Sequence, residues 1–184
     1  MPPSNGYSFL RLKPEELFLA RAIVRHRWRE RLAFCYPQHD FDAAHIEDYH
    51  LLEGIDHKAT WPNEHRILPK RDVLTLKSLP SLRGFKRLAD EGKRGHENIL
   101  FRVIRPGAQD IGPLHADSSF GNVEGDCFNV WIGLYATPGN GLRVMQNNEP
   151  LDLPLSSGEG VIFDHHLIQG GAINRSNKTR ISIE

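Results

Sequence analysis

The chain has 184 residues, 39% hydrophobic and 25% charged, and its 23 Lys+Arg balance 23 Asp+Glu. This describes one folded domain over residues 1–184 with no net field to gather a polyanion, which excludes nucleic acid and an acidic membrane surface as main partners and leaves a small molecule as the default ligand. The longest apolar stretch, Val130 to Ala136, is interrupted by Gly133 and falls far short of the ~20 residues of a membrane helix, and the start from Met1 to Ser4 has no basic-then-apolar leader, so a cytoplasmic setting without a membrane span is expected and an oligomer is left open.

In chain order, Pro14 with Glu15 and Glu16 marks a helix start, and Leu17, Ala20, Val24, Trp28 and Leu32 form an apolar stripe at helical period. The arginines between them, Arg21, Arg25, Arg27, Arg29 and Arg31, read as a solvated face paired with local acids. From Tyr36 to Pro69 the scattered His, Asp, Pro and Gly predict a long loop with short helical turns, and Pro80 opens a second helix running to about Gly92. Residues 1–97 are thus expected to be mainly helical and loop support. Cys35 and Cys127, the only cysteines, read as reduced packing thiols. Of ten histidines, His26, His39, His45, His50, His57, His65 and His96 share no spacing and read as solvated or hydrogen-bonded.

The pattern changes at Asn98. Ile99 to Ile104 and Phe128 to Tyr135 alternate with period two, and shorter strands are predicted at Leu142 to Gln146, Leu151 to Leu155, Gly160 to Asp164, Gln169 to Ala172 and Thr179 to Glu184. Many short strands separated by Pro, Gly, Asn and Ser turns predict an antiparallel sandwich or barrel. Trp131 and Phe163 are read as core aromatics, while Arg102 is assigned to neither face.

Two segments carry chemistry. Within the run from Pro106 to Asp117, His115 and Asp117 point to one side of an extended chain, where an imidazole and a carboxylate can share a cation. They supply two parts of a 2-His-1-carboxylate triad, which holds Fe(II) on one face and leaves the opposite positions open. At the other end, Arg180 and Ser182 share a strand face, and an inward guanidinium beside a hydroxyl is a fixed fork for the carboxylate of a dicarboxylate co-substrate.

The ordered set His-x-Asp, Asn129-Val130-Trp131-Ile132, Gly141-Leu142-Arg143-Val144, the Gly158-x-Gly160 turn into Val161-Ile162-Phe163, and Gly170-Gly171-x-x-Asn174-x-Ser176-x-x-x-Arg180-x-Ser182 resembles the Fe(II)/2-oxoglutarate-dependent oxygenases, in particular the phytanoyl-CoA dioxygenase-like enzymes and related antibiotic-pathway oxygenases. The resemblance covers residues 98–184. It implies a mainly β fold with N-terminal helices, a double-stranded β-helix (cupin-like jelly-roll) whose core is residues 98–184. It also implies metal ligation by His115 and Asp117, 2-oxoglutarate binding by Arg180 with Ser182 and Asn129, and hydroxylation of a small metabolite with decarboxylation of 2-oxoglutarate to succinate. One position departs from the pattern: Gln169 stands where the family has its second histidine. The third ligand is then either Gln169, a neutral and weaker donor than imidazole, or His166 if the strand is bulged or shifted. Asp164 could orient His166. The alternative to an enzyme is a catalytically silent jelly-roll that binds a small acid or sugar.

Overall fold

The computed structural model describes residues 6–85, 99–107, 112–120 and 128–184. Eight strands are β1 (Tyr7–Arg11), β2 (Phe101–Ile104), β3 (Phe128–Tyr135), β4 (Leu142–Gln146), β5 (Glu149–Asp152), β6 (Glu159–Asp164), β7 (Gln169–Gly171) and β8 (Arg180–Ile183). They form a five-stranded sheet in the order β1-β6-β3-β8-β2 and a three-stranded sheet in the order β5-β4-β7, every pairing antiparallel. An isolated antiparallel bridge between His115 and Gln169 continues the smaller sheet past β7, and another joins Gly107 to Asn174. This is the expected jelly-roll.

Side-chain alternation separates two cores. Tyr7, Trp131, Val161 and Phe163 from the large sheet meet Leu142, Val144, Leu153 and Leu155 between the sheets. The outward residues of the large sheet, Phe101, Val103, Ile132, Leu134, Ile181 and Ile183, pack instead against the N-terminal half. There α1 (Pro14–Cys35) buries the predicted stripe of Ala20, Val24, Trp28 and Leu32. Pro14 presets its first turn, and Glu16 reaches back to the Lys13 N–H at 2.7 Å, satisfying one of the amide groups that a helix start leaves over. The arginine face is less solvated than the pattern suggests. Arg27 does bond Asp72 and Glu30, but Arg21 lies over the Tyr135 ring and donates to Leu134 O, and Arg31 donates to Thr60 O, so these long side chains tie the helix to the sheet and the following loop.

Residues 36–69 form the expected loop with short turns, including α2 (His57–Thr60). Two of its histidines are hydrogen-bonded, His50 Nδ1 with Thr179 Oγ1 on the distant C-terminal segment at 3.0 Å and His57 Nδ1 with Tyr49 OH at 3.2 Å. Three elements differ from expectation. α3 (Lys70–Lys77) and β1 were not predicted, and the strand expected over 151–155 is β5, two residues earlier. β4 and β5 form a tight hairpin in which Asn147 and Asn148 take φ of 52° and 64°, the left-handed conformation such turns demand and asparagine tolerates. The helix from Pro80 is a 3-10 helix over Pro80–Phe85, and its expected continuation to Gly92 lies outside the described residues, as do His96 and Cys127. Among the described residues no helix is long and apolar enough to cross a membrane.

Candidate active site

The inner face of β8 and β2 turns polar where the two sheets diverge. Pairing of Ile104 with Arg180 and of Arg102 with Ser182 puts these four side chains on one side of the sheet, opposite the outward Phe101, Val103, Ile181 and Ile183. They line an open cleft shared with His115, Gln169 and Glu184.

His115 and Gln169 exchange both backbone hydrogen bonds, His115 N to Gln169 O at 2.9 Å and Gln169 N to His115 O at 2.8 Å, so their side chains stand on the same face. His115 Nε2 lies 3.3 Å from Asp117 Oδ1, and Gln169 Nε2 lies 3.4 Å from each of those atoms. The His115 Nδ1 sits 2.9 Å from the Pro113 carbonyl, a contact that places the proton on Nδ1 and presents Nε2 to Asp117. Asn129 donates to Asp117 Oδ2 and fixes the carboxylate from its far side. Burial pushes the Asp117 carboxyl up, against the pull of His115, and the neighbouring Glu184 charge adds to the rise.

His166 does not join this cluster. Regular strand β6 ends at Asp164, and His165 and His166 follow on a turn, their rings 3.9 Å apart and His166 exposed. The bulge that would swing His166 inward is absent from β6, which pairs in unbroken register with β1 and β3. Asp164 does not orient the His166 ring either; its Oδ1 accepts the backbone N–H groups of His166 and Leu167 at 2.8 and 3.0 Å, closing the turn.

At the floor of the cleft Arg180 is only 3% exposed. Its Nη1 donates to Ala172 O at 2.8 Å and to Asn140 O, which locks the guanidinium plane. Arg180 Nε and Ser182 Oγ are buried without a hydrogen-bond partner. Burial pushes the guanidinium down to about 10, which leaves it charged at neutral pH. Asn174 and Ser176, prominent in the sequence motif, have a structural task. The buried Asn174 donates to Ile104 O and Lys178 O and accepts from Ser176, pinning the turn that aims β8 inward. Trp131 and Phe163 are core residues as expected.

Sequence reasoning missed Arg102 and Glu184. Arg102 Nε and Nη2 grip Glu184 Oε1 and Oε2 at 2.9 and 2.7 Å. The one signal that could have found them is register, because the pairing of Arg102 with Ser182 fixes its face.

The fold recurs in solved proteins. The chain superposes on the nickel complex of the non-heme monooxygenase ThoJ with a TM-score of 0.59 at 12% identity, covering 98% of this chain and 72% of that one. AviO1 from Streptomyces viridochromogenes Tue57 gives 0.57 at 17% identity over 97% and 87%, and the non-heme alpha-ketoglutarate-dependent carbocyclase SnoK from nogalamycin biosynthesis gives 0.53 at 12% over 97% and 78%. The chain has the 2-oxoglutarate oxygenase fold. No family model and no curated protein sequence matches it.

ThoJ was solved as a nickel complex and SnoK is alpha-ketoglutarate dependent, so the groups to test against this cleft are a divalent metal and a dicarboxylate. The unpartnered Arg180 Nε and Ser182 Oγ are donors of the kind a carboxylate satisfies, so the floor of the cleft fits one carboxylate group. His115 and Asp117 are an imidazole and a carboxylate converging within 3.3 Å, which fits two metal positions. Only an amide stands at the third, and among the described residues no three His, Cys, Asp or Glu side chains converge.

Proposed function

We propose that the chain is an Fe(II)/2-oxoglutarate-dependent dioxygenase that hydroxylates a small-molecule metabolite. One coincidence in space supports this: His115 and Gln169, which converge with Asp117, line the same cleft as a buried Arg180 whose Nε, together with Ser182 Oγ, lacks a partner. Fe(II), when bound, supplies oxygen activation coupled to the oxidative decarboxylation of 2-oxoglutarate to succinate and CO2. His115 Nε2 and Asp117 Oδ1 would hold the metal, with the Gln169 amide, turned over from its present hydrogen bond to Asp117 so that its oxygen faces them, as a neutral third donor. Asn129 holds Asp117 in place, and the Pro113 carbonyl sets the His115 tautomer. Arg180 and Ser182 orient the co-substrate through its distal carboxylate, and Trp131 and Ile104 exclude water from one wall.

The Gln169 amide favours a second reading, a catalytically silent jelly-roll that binds a small acid through Arg180. Anaerobic equilibrium dialysis against Fe(II), with circular dichroism as the check on folding, separates the two. The enzyme reading predicts retained metal in the wild type and its loss in both His115→Ala and Asp117→Ala, because an open site cannot spare one of its two strong ligands. A folded wild type that retains no Fe(II) leaves the silent binder.

A further inference from the structure

Arg102 and Glu184 stand at the mouth of the cleft and have no part in the chemistry above. Arg102 faces inward opposite Ser182, two residues along β8 from Arg180, which separates the two levels by about 7 Å of strand rise. Depth distinguishes the two cations. Arg180 is sealed in the floor, whereas the Arg102 side chain is 40% exposed and lines the open cleft. Glu184 occupies the Nε and Nη2 edge of Arg102, holding the guanidinium plane, and no described residue accepts from Nη1. An arginine fixed by a carboxylate on one edge presents the other as a rigid two-donor fork, and that fork matches a second carboxylate.

We propose that Arg102 is the recognition residue for the primary substrate, and that this substrate is a small carboxylic acid whose carboxylate docks on the Nη1 edge of Arg102. The inference rests on the oxygenase reading for its division of labour, with Arg180 taking the co-substrate and Arg102 the substrate.

The test uses the full chain loaded with Ni(II) as a redox-silent metal and saturated with 2-oxoglutarate. Calorimetry then compares straight-chain monocarboxylates with the matching primary amides. The wild type should bind the acids at least about tenfold more tightly than the amides, the worth of a charge-assisted hydrogen bond. Arg102→Gln should abolish that preference, and Arg102→Lys, which keeps the charge and spares the fold, should retain part of it. Equal binding of acids and amides, no binding of either, or a preference that survives Arg102→Gln overturns the inference. So does a drop in 2-oxoglutarate affinity in Arg102→Gln without any acid binding, which would make Arg102 a co-substrate residue. If 2-oxoglutarate itself fails to bind while acids still bind through Arg102 and not Arg180, the oxygenase reading falls and the acid site stands.

Discussion

Replacing Arg180 by lysine keeps one charge and removes the fork. In the wild type Nη1 is committed to Ala172 O and Asn140 O, leaving Nε and Ser182 Oγ for a ligand. Losing one charge-assisted hydrogen bond to the 2-oxoglutarate carboxylate costs about 1.5–3 kcal/mol, which raises Kd roughly 10- to 150-fold. The same loss is visible in ligand-linked stability. At a concentration near 100 times the wild-type Kd, binding stabilises the protein by about 2.7 kcal/mol, roughly 5–11 °C in Tm for a chain of this size. With Kd up tenfold the gain falls to about 1.4 kcal/mol, roughly 3–6 °C. Ser182→Ala should weaken binding less, about 2- to 10-fold, without lowering the ligand-free Tm, because its hydroxyl has no partner to lose. Calorimetry and paired thermal scans with a redox-silent divalent metal measure both quantities. Equal 2-oxoglutarate affinity in wild type and Arg180→Lys refutes the assignment of Arg180.

Gln169→His should tighten Fe(II) binding and speed 2-oxoglutarate turnover by placing an imidazole beside His115 Nε2, while His166→Ala, on its exposed turn, should change iron affinity less than twofold; iron loss in His166→Ala would show that His166 is the ligand. Asp152 is held below the usual carboxylate range by hydrogen bonds from Arg143 and Arg175, so its ionised form stabilises the fold. That contribution is present above the unfolded pKa of about 3.9 and is lost as pH falls through the lower folded value. Denaturant melts of wild type and Asp152→Asn should therefore differ by a constant amount from pH 7 to about pH 5 and converge below about pH 4; a gap that widens on acidification contradicts the sign.

The strands with clean alternation were legible because both of their faces are covered: β3 sends Trp131 into one core and Ile132 and Leu134 into the other. β1 was not legible, since Phe9 is 61% exposed and breaks the apolar-polar rule on an edge strand. α3 is eight residues long with only Val73 and Leu76 as buried apolar positions, too few to define a period. β5 was displaced in the reading because the apolar burial lies in Leu153 and Leu155, just past the strand, while its own residues are largely exposed. In the site, the parity of His115 with Asp117 and of Arg180 with Ser182 is a local property and could be read directly. The meeting of His115 with Gln169 depends on a bridge across 54 positions, and the inward face of Arg102 on the register of β2 against β8. Neither follows from local pattern.

Succinate release from 2-oxoglutarate under air, by the wild-type chain supplied with Fe(II) and by Asp117→Ala, tests the central claim most directly. The account predicts succinate above the protein-free background in the wild type and its disappearance in Asp117→Ala at unchanged circular dichroism. A folded wild type that releases no succinate, or an Asp117→Ala variant that releases as much, contradicts it.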